Sequence, residues 1–394
     1  TPGVEKIMQI PSGFPAGINA YAMPRDGNLL MAKTGGGSQP GGTILKLVRQ
    51  GEPSPQPPPL LSQTGAFQNI SNLTPVPAFI PYSMVVPFWS DNAIKTRWLA
   101  VPNDGSHNTA AEKISVTAEG DWDFPVGSVL IKHFNFALDQ RSPSQTRKLE
   151  TRFLVHATNG WYGVTYRWNA AGTDAELLYD TELETLQVTD ESGTTTPQVW
   201  TYPSRLECMT CHTPEAGTTL GPMTRQLNKE HFYPHTGRVA NQVETYAAIG
   251  MFSNPPNPAA SAPLKATDDL SASLEERARS YLDSNCAYCH QPGVVRANFD
   301  ARYITQLNNA GIISGNLVES LGIPGESVVS PGSLSKSVLY QRANSAGEGH
   351  SMPPLAKFLV DSEGSAVIAD WIHSLAPNNA KGAETIGNNT STGG

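Results

Sequence analysis

The middle of the chain alternates between runs of apolar residues of strand length and short polar breaks. Val129 to Phe134 (VLIKHF), Thr151 to His156 (TRFLVH) and Trp161 to Trp168 (WYGVTYRW) are rich in β-branched and aromatic side chains and are separated by turn residues. They predict strands of a β-rich module, of β-sandwich or jelly-roll type, over residues 61–258. Its aromatics, among them Trp89, Trp98, Trp122, Trp161 and Trp168, read as core. Near the N-terminus, Gly27 to Met31 and Thr43 to Leu47 flank Gly35-Gly36-Gly37, a pattern of paired strands around a glycine-rich loop within 1–50. Such a pair is too small to be stable alone and must pack on the rest of the chain or on a neighbour. Pro53, Pro55, Pro57, Pro58 and Pro59 make 51–60 a stiff linker. After a second linker at 259–272 the period becomes helical. Leu274, Ala278, Tyr281 and Leu282 share one helix face, and Val367, Ile368, Trp371, Ile372 and Leu375 share another. A mixed, multidomain chain is expected: the β-rich module, an all-α domain over 273–376, and a polar tail over 377–394.

Composition narrows the class. Only 16% of the 394 residues are charged, and 35 are Gly and 32 Pro, a mix suited to a loop- and strand-rich exported protein. The formal net charge is -8 and no basic block occurs, which argues against nucleic acid as a partner. No apolar run has the length needed to span a bilayer. The chain opens at Thr1-Pro2 without an initiator Met, as after removal of a signal peptide.

All 4 cysteines fall in two copies of one pattern, Cys208-Met209-Thr210-Cys211-His212 and Cys286-Ala287-Tyr288-Cys289-His290. C-x-x-C-H is the signature of covalent c-type haem attachment. Two thiols add across the haem vinyl groups, and the adjacent histidine reaches the iron from one side. The expected cofactors are two covalently bound haem c groups, with His212 and His290 as iron ligands. C-x-x-C also occurs in redox dithiols and zinc sites, but no βαβ setting surrounds either copy and the stretch between them is long. Haem is attached covalently outside the bacterial cytoplasm, so a periplasmic, cell-surface or extracellular location is expected. The first motif follows Tyr202 to Glu207 and hangs from the edge of the β module. Its second iron ligand stays open between His133, which shares a strand face with Val129 and Ile131, His231 and Met223. A histidine on an apolar face is equally a hydrogen-bonded core residue.

Residues 273–376 resemble a class I cytochrome c domain: a helix leading into Cys286 to His290, then Ser351-Met352-Pro353-Pro354-Leu355, then a final helix containing Asp370-Trp371-Ile372. The resemblance implies Met352 as the sixth iron ligand of the second haem, and a thioether ligand raises the potential relative to two histidines. The middle of the chain resembles a family of bacterial dihaem proteins with a β-rich domain. The stretches that carry this are Pro87 to Asp91, Phe124 to Gly127, Lys132 to Phe134, Leu149 to Arg152 and Gln226 to Asn228. Some members are fused to a sugar-dehydrogenase-like propeller, and residues 1–50 are similar to a final propeller strand pair. The expected function is electron transfer by an exported dihaem cytochrome. Its partners would be redox proteins, and self-association into a filament would extend the haem chain. Two alternatives are an enzyme (a dihaem peroxidase or the electron-accepting part of a sugar dehydrogenase) and a surface- or carbohydrate-binding β module with a cytochrome tail.

Overall fold

The computed structural model of the protein describes residues 3–10, 17–22, 29–34, 42–48, 56–295, 297–346, 349–354 and 357–375. The Gly35 to Gly37 loop, Pro53 and Pro55, and the tail at 377–394 lie outside these. Two compact units are present, 1–57 and 58–394. The first holds four antiparallel strands, β1 (Gly3–Ile10), β2 (Gly17–Ala22), β3 (Leu29–Thr34) and β4 (Gly42–Val48), in the order β1-β4-β3-β2. The pair expected from sequence is β3 and β4; β1 and β2 complete a sheet around it.

The second unit is mostly β, and the described residues contain six α-helices in all. After a small ribbon, β5 (Phe67–Asn69) and β6 (Thr74–Pro75), the chain forms β7 (Ile80–Tyr82) and β8 (Ile94–Ala100). A second ribbon follows, β9 (Ser115–Val116) and β10 (Trp122–Asp123). Then come β11 (Val129–Phe136), β12 (Arg147–Ala157), β13 (Gly160–Trp168) and β14 (Ala175–Leu177). The main sheet has the order β14-β13-β12-β11-β8-β7, antiparallel throughout. Neighbours in the sheet succeed one another along the chain, apart from the inserted β9–β10 ribbon. That is a meander; a jelly roll would need Greek-key crossovers between strands distant in sequence.

Both faces of the sheet are covered, and alternation along each strand assigns the side chains. One face presents Trp98, Ile131, Phe153, Val164, Tyr166 and Trp168, packed under the segment from Leu61 to Phe79. The opposite face has two apolar ends. At one end Leu99, Leu130 and Leu154 pack with helices α2 (Thr224–Leu227) and α3 (Gln242–Ala248), which follow α1 (Arg205–Cys211). At the other end Phe134 and Phe136 pack under the hairpin β15 (Glu182–Thr189) and β16 (Thr195–Tyr202). A further hairpin, β17 (Glu230–Tyr233) and β18 (Arg238–Asn241), leads into α3.

From Leu274 on, the regular elements are α4 (Leu274–Asn285), α5 (Val338–Ala343) and α6 (Ser362–Ser374). Ser273 caps α4: its hydroxyl accepts the Glu276 N–H at 3.2 Å while the Glu276 carboxylate accepts the Ser273 N–H at 2.9 Å. Ala278, Leu282, Ile368, Trp371 and Ile372 form the apolar core between α4 and α6.

The stretch 259–272, expected to be a linker, is packed into the unit. Leu264 is buried in the helical core, its N–H bonds the Arg225 carbonyl at 2.9 Å, and the Lys265 N–H bonds the Ser280 hydroxyl at 2.8 Å. The β-rich and helical parts are further clamped by buried polar contacts. Arg225 on α2 pairs with Asp283 on α4 at 3.4 Å, and Gln226 bonds Ser284. The Trp89 N–H donates to Asn285 at 2.7 Å, and the Asp91 carboxylate accepts the Phe358 and Leu359 N–H groups, each at 2.9 Å. Removing one partner of such a buried ion pair costs about 3–5 kcal/mol, because the other charge stays behind unpaired.

Gly364 sets the crossing of α4 and α6. A Cβ placed there would fall 2.1 Å from the Tyr281 ring. Gly364→Ala should destabilise the protein by about 1–3 kcal/mol through overpacking, measured as a lowered urea midpoint. Adding Tyr281→Leu should recover part of the loss.

Candidate functional site

The first C-x-x-C-H motif is set by α1 and the strand beneath it. Ser204 starts the helix: its N–H donates to Glu207 at 3.0 Å and its hydroxyl accepts the Glu207 N–H at 3.5 Å, so a capping box orients a helix of only 7 residues. The helix lies directly on β13 because Gly163 has no side chain. A Cβ there would sit 2.6 Å from Cys208 Cβ and 2.9 Å from its Sγ. Cys208 also lies within reach of Thr165, two residues along the same sheet face.

His212 closes the motif. Its Nδ1 lies 2.5 Å from the Thr218 carbonyl oxygen. A carbonyl only accepts, so Nδ1 carries the proton and Nε2 keeps its lone pair, the tautomer a metal-ligating imidazole needs. Thr218 holds this position at a φ of 56°, left-handed for a β-branched residue, with its N–H bonded to the Thr213 carbonyl at 3.0 Å. Burial, together with Lys132 and Arg152, pushes the His212 pKa down to about 4, so the ring is neutral at physiological pH.

The second motif begins where α4 ends. The Cys286 N–H bonds the Leu282 carbonyl at 2.8 Å, and the His290 N–H bonds the Cys286 carbonyl at 2.8 Å. His290 stacks on Phe299 with ring centres 4.4 Å apart and planes 13° from parallel. Its Nδ1 is buried without a hydrogen-bond partner, and burial, then the Arg342 charge, pushes its pKa down to about 4. Met352 is half-buried. Its N–H bonds the Arg342 carbonyl at 3.0 Å, and its carbonyl accepts from Lys357 Nζ at 3.0 Å. The Arg342 charge acts on His290 and the Lys357 charge acts on Cys286, so the Met352 backbone is tied between two residues whose fields reach the second motif.

The two motifs meet. The Cys211 and Cys289 thiols lie within reach of each other, and Cys211 holds the Cys289 thiol below the ordinary thiol range. Tyr288, inside the second motif, is buried within the electrostatic reach of Arg97 and Tyr82 of the β sheet. Both motifs therefore face the same side of the main sheet.

That side carries a row of polar residues between its two apolar ends. Across successive strands the register aligns Tyr82, Arg97, Lys132, Arg152 and Thr165. Arg152 pairs with the fully buried Glu150 at 2.5 Å. Burial, then Arg97 and Arg152, pushes Lys132 down to about 7, and burial also lowers Arg97. Lys132 and Arg152 fall in stretches that carry the family resemblance, but none of these residues was given a role from sequence. The available signal was a charge at the centre of each apolar run, as in Val129 to Phe134. Gly163 and Thr218 had no comparable signal.

His133 lies on the opposite face of the sheet from Cys208, with alternate positions on β11 pointing away from the motifs. It is fully buried, and both ring nitrogens are engaged: Nδ1 with Thr151 Oγ1 at 2.8 Å and Nε2 with Asn135 Oδ1 at 3.0 Å. This is the position of a core histidine, and the iron-ligand expectation for it is not carried forward. Met223 is buried at the N-cap of α2. His231 bonds Ser83 through Nδ1 at 3.1 Å, and its Nε2 is buried without a partner. Among the described residues no three His, Cys, Asp or Glu side chains converge as a metal site. No helix among them is long and apolar enough to cross a membrane.

No protein-family profile matches the chain, and neither a curated protein nor a solved structure does.

Burial pushes the His133 pKa from 6.5 down to about 4. The folded state therefore binds fewer protons than the unfolded chain between these values. The His133 contribution is complete above pH 6.5 and is lost as pH falls toward 4, with a full size on the order of 3 kcal/mol. A His133→Gln protein should show a shallower fall of its urea midpoint between pH 7 and 4, with an unchanged visible spectrum. A changed iron spectrum would return His133 to the ligand set.

Proposed function

We propose that the chain is an exported dihaem c-type cytochrome that carries electrons between redox proteins. The observation that carries the reading is the meeting of the two C-x-x-C-H motifs at Cys211 and Cys289. With a haem bound through Cys208 and Cys211 and another through Cys286 and Cys289, the thioether edges of the two groups would adjoin, and electrons would pass within the chain. Iron supplies the one-electron chemistry when haem is bound.

The residues suit that cargo. His212 is held in the ligating tautomer by Thr218, and His290 is a neutral, buried imidazole fixed by Phe299. Gly163 leaves α1 close enough to the sheet that one side of the first site is protein rather than water. Leu282, Ile368 and Trp371 keep the second site in apolar surroundings. Met352 is the proposed second ligand of the second iron, as the class I cytochrome c resemblance implies, and a thioether there favours the reduced state. His231, with its buried and unpartnered Nε2, has the donor chemistry for the distal side of the first haem. On this reading the protein works outside the bacterial cytoplasm, where haem is attached covalently.

A spectroelectrochemical titration of the purified protein tests this. Two low-spin waves of similar size are expected, with a thioether–iron band near the red end that disappears in Met352→Ala along with a fall in the potential of one haem only. A high-spin fraction equal to one haem, with peroxide turnover, would contradict electron carriage and favour a peroxidase.

A further inference from the structure

Like charges side by side and partly withdrawn from water are costly, and the main sheet contains three in a row, Arg97 buried and Lys132 and Arg152 half-buried. Lys132 on β11 is directly opposite Arg97 on β8 and Arg152 on β12. Cations directly opposite one another on adjacent strands repel, and a buried charge without a partner costs several kcal/mol. Arg97 is only 6% exposed. Among the described residues no carboxylate forms an ion pair with Arg97 or with Lys132, while Arg152 is served by Glu150. The next row adds Lys95, whose Nζ bonds only the Phe88 carbonyl among the contacts it makes, at 2.6 Å. Lys95 and Arg97 also line a cavity of about 420 Å³, where the Asp361 and Glu363 carboxylates face them. The positive charge without a carboxylate partner is therefore in the row itself, at Arg97 and Lys132.

The direction of the row identifies the anion. It starts at Thr165, beside Cys208, and crosses Arg152, Lys132 and Arg97 in that order. Strands lie about 4.8 Å apart, so Lys132 is roughly 10 Å and Arg97 roughly 14 Å from the Cys208 end. Were a flat macrocycle tethered at Cys208 and extended along the row, Lys132 and Arg97 are the residues that would meet its carboxylates. We propose that the carboxylates of the haem attached to Cys208 and Cys211 are bound by Arg97 and Lys132, with Arg152 held between them and the thioether by Glu150. This rests on the dihaem reading. Arg97 offers a carboxylate two parallel N–H donors, and Lys132 adds a point charge.

The holoprotein tests it through Lys132→Met, Lys132→Arg and Arg97→Gln. The readouts are the two midpoint potentials and the carboxylate bands in redox-difference infrared spectra. A nearby cation favours the reduced, more negative state. Lys132→Met and Arg97→Gln should therefore lower the potential of the haem that lacks the thioether–iron band and shift its carboxylate bands, leaving the other haem unchanged. Lys132→Arg should behave as the parent. Two attached haems with parental potentials and bands in both neutral variants would overturn the proposal. An equal fall at both haems would also overturn it, since that marks a general field and not a bound carboxylate. Absence of haem from the parent protein would instead overturn the dihaem reading itself. If Lys132→Met does not fold, Arg97→Gln gives the same decision.

Discussion

The contact between Cys211 and Cys289 is the constraint on which the rest of the molecule depends, because each thiol belongs to a different structural part and neither part alone can place it. Cys211 ends a two-turn helix that stays on the sheet only because residue 163 is glycine. Cys289 follows α4, which is locked to the β-rich part by Asp283 with Arg225, by Ser284 with Gln226 and by Asn285 with Trp89. These contacts come from three successive residues at the end of α4, immediately before Cys286. The helix terminus that presents the second motif is thus the one most firmly anchored to the part presenting the first. The stretch that sequence suggested was a linker is folded into the same interface through Leu264 and Lys265, which prevents the two motifs from drifting apart.

The charged row across the sheet is the energetic counterpart of that arrangement. An apolar row at Arg97, Lys132 and Arg152 would join the two hydrophobic ends of the face and stabilise the protein without any ligand, since replacing buried charges by packed apolar groups is often neutral or favourable. A chain that keeps cations there forgoes this stability, as proteins do where a site is built for a charged group. The apolar ends under α2, α3 and the β15–β16 hairpin supply the packing that holds the row in place.

The elements and the two C-x-x-C-H motifs were legible in the sequence; the tertiary relations were not. Strands β11, β12 and β13 and helices α4 and α6 follow from periodicities of two and of about 3.6, because burial of one face leaves that imprint on residue type. The C-x-x-C-H spacing is local chemistry and survives without knowledge of the fold. The face on which His133 points depends on which side of the sheet receives the motifs, a relation that strand periodicity leaves undetermined, and its neighbours Val129 and Ile131 marked it only as inward-facing. The alignment of Arg97, Lys132 and Arg152 depends on the register of three strands, so it emerged only when the strands were paired. The meander order was likewise hidden, since strand number and composition are shared with jelly rolls.

Intact mass measurement of the purified full-length protein and of Gly163→Ala tests the central claim most directly. The dihaem assignment predicts a mass excess of two haem groups in the parent. It predicts a large fraction with only one haem in the variant, where a Cβ displaces Cys208 from the sheet. A parent mass equal to that of the bare polypeptide, or of the polypeptide with a metal ion, would contradict it.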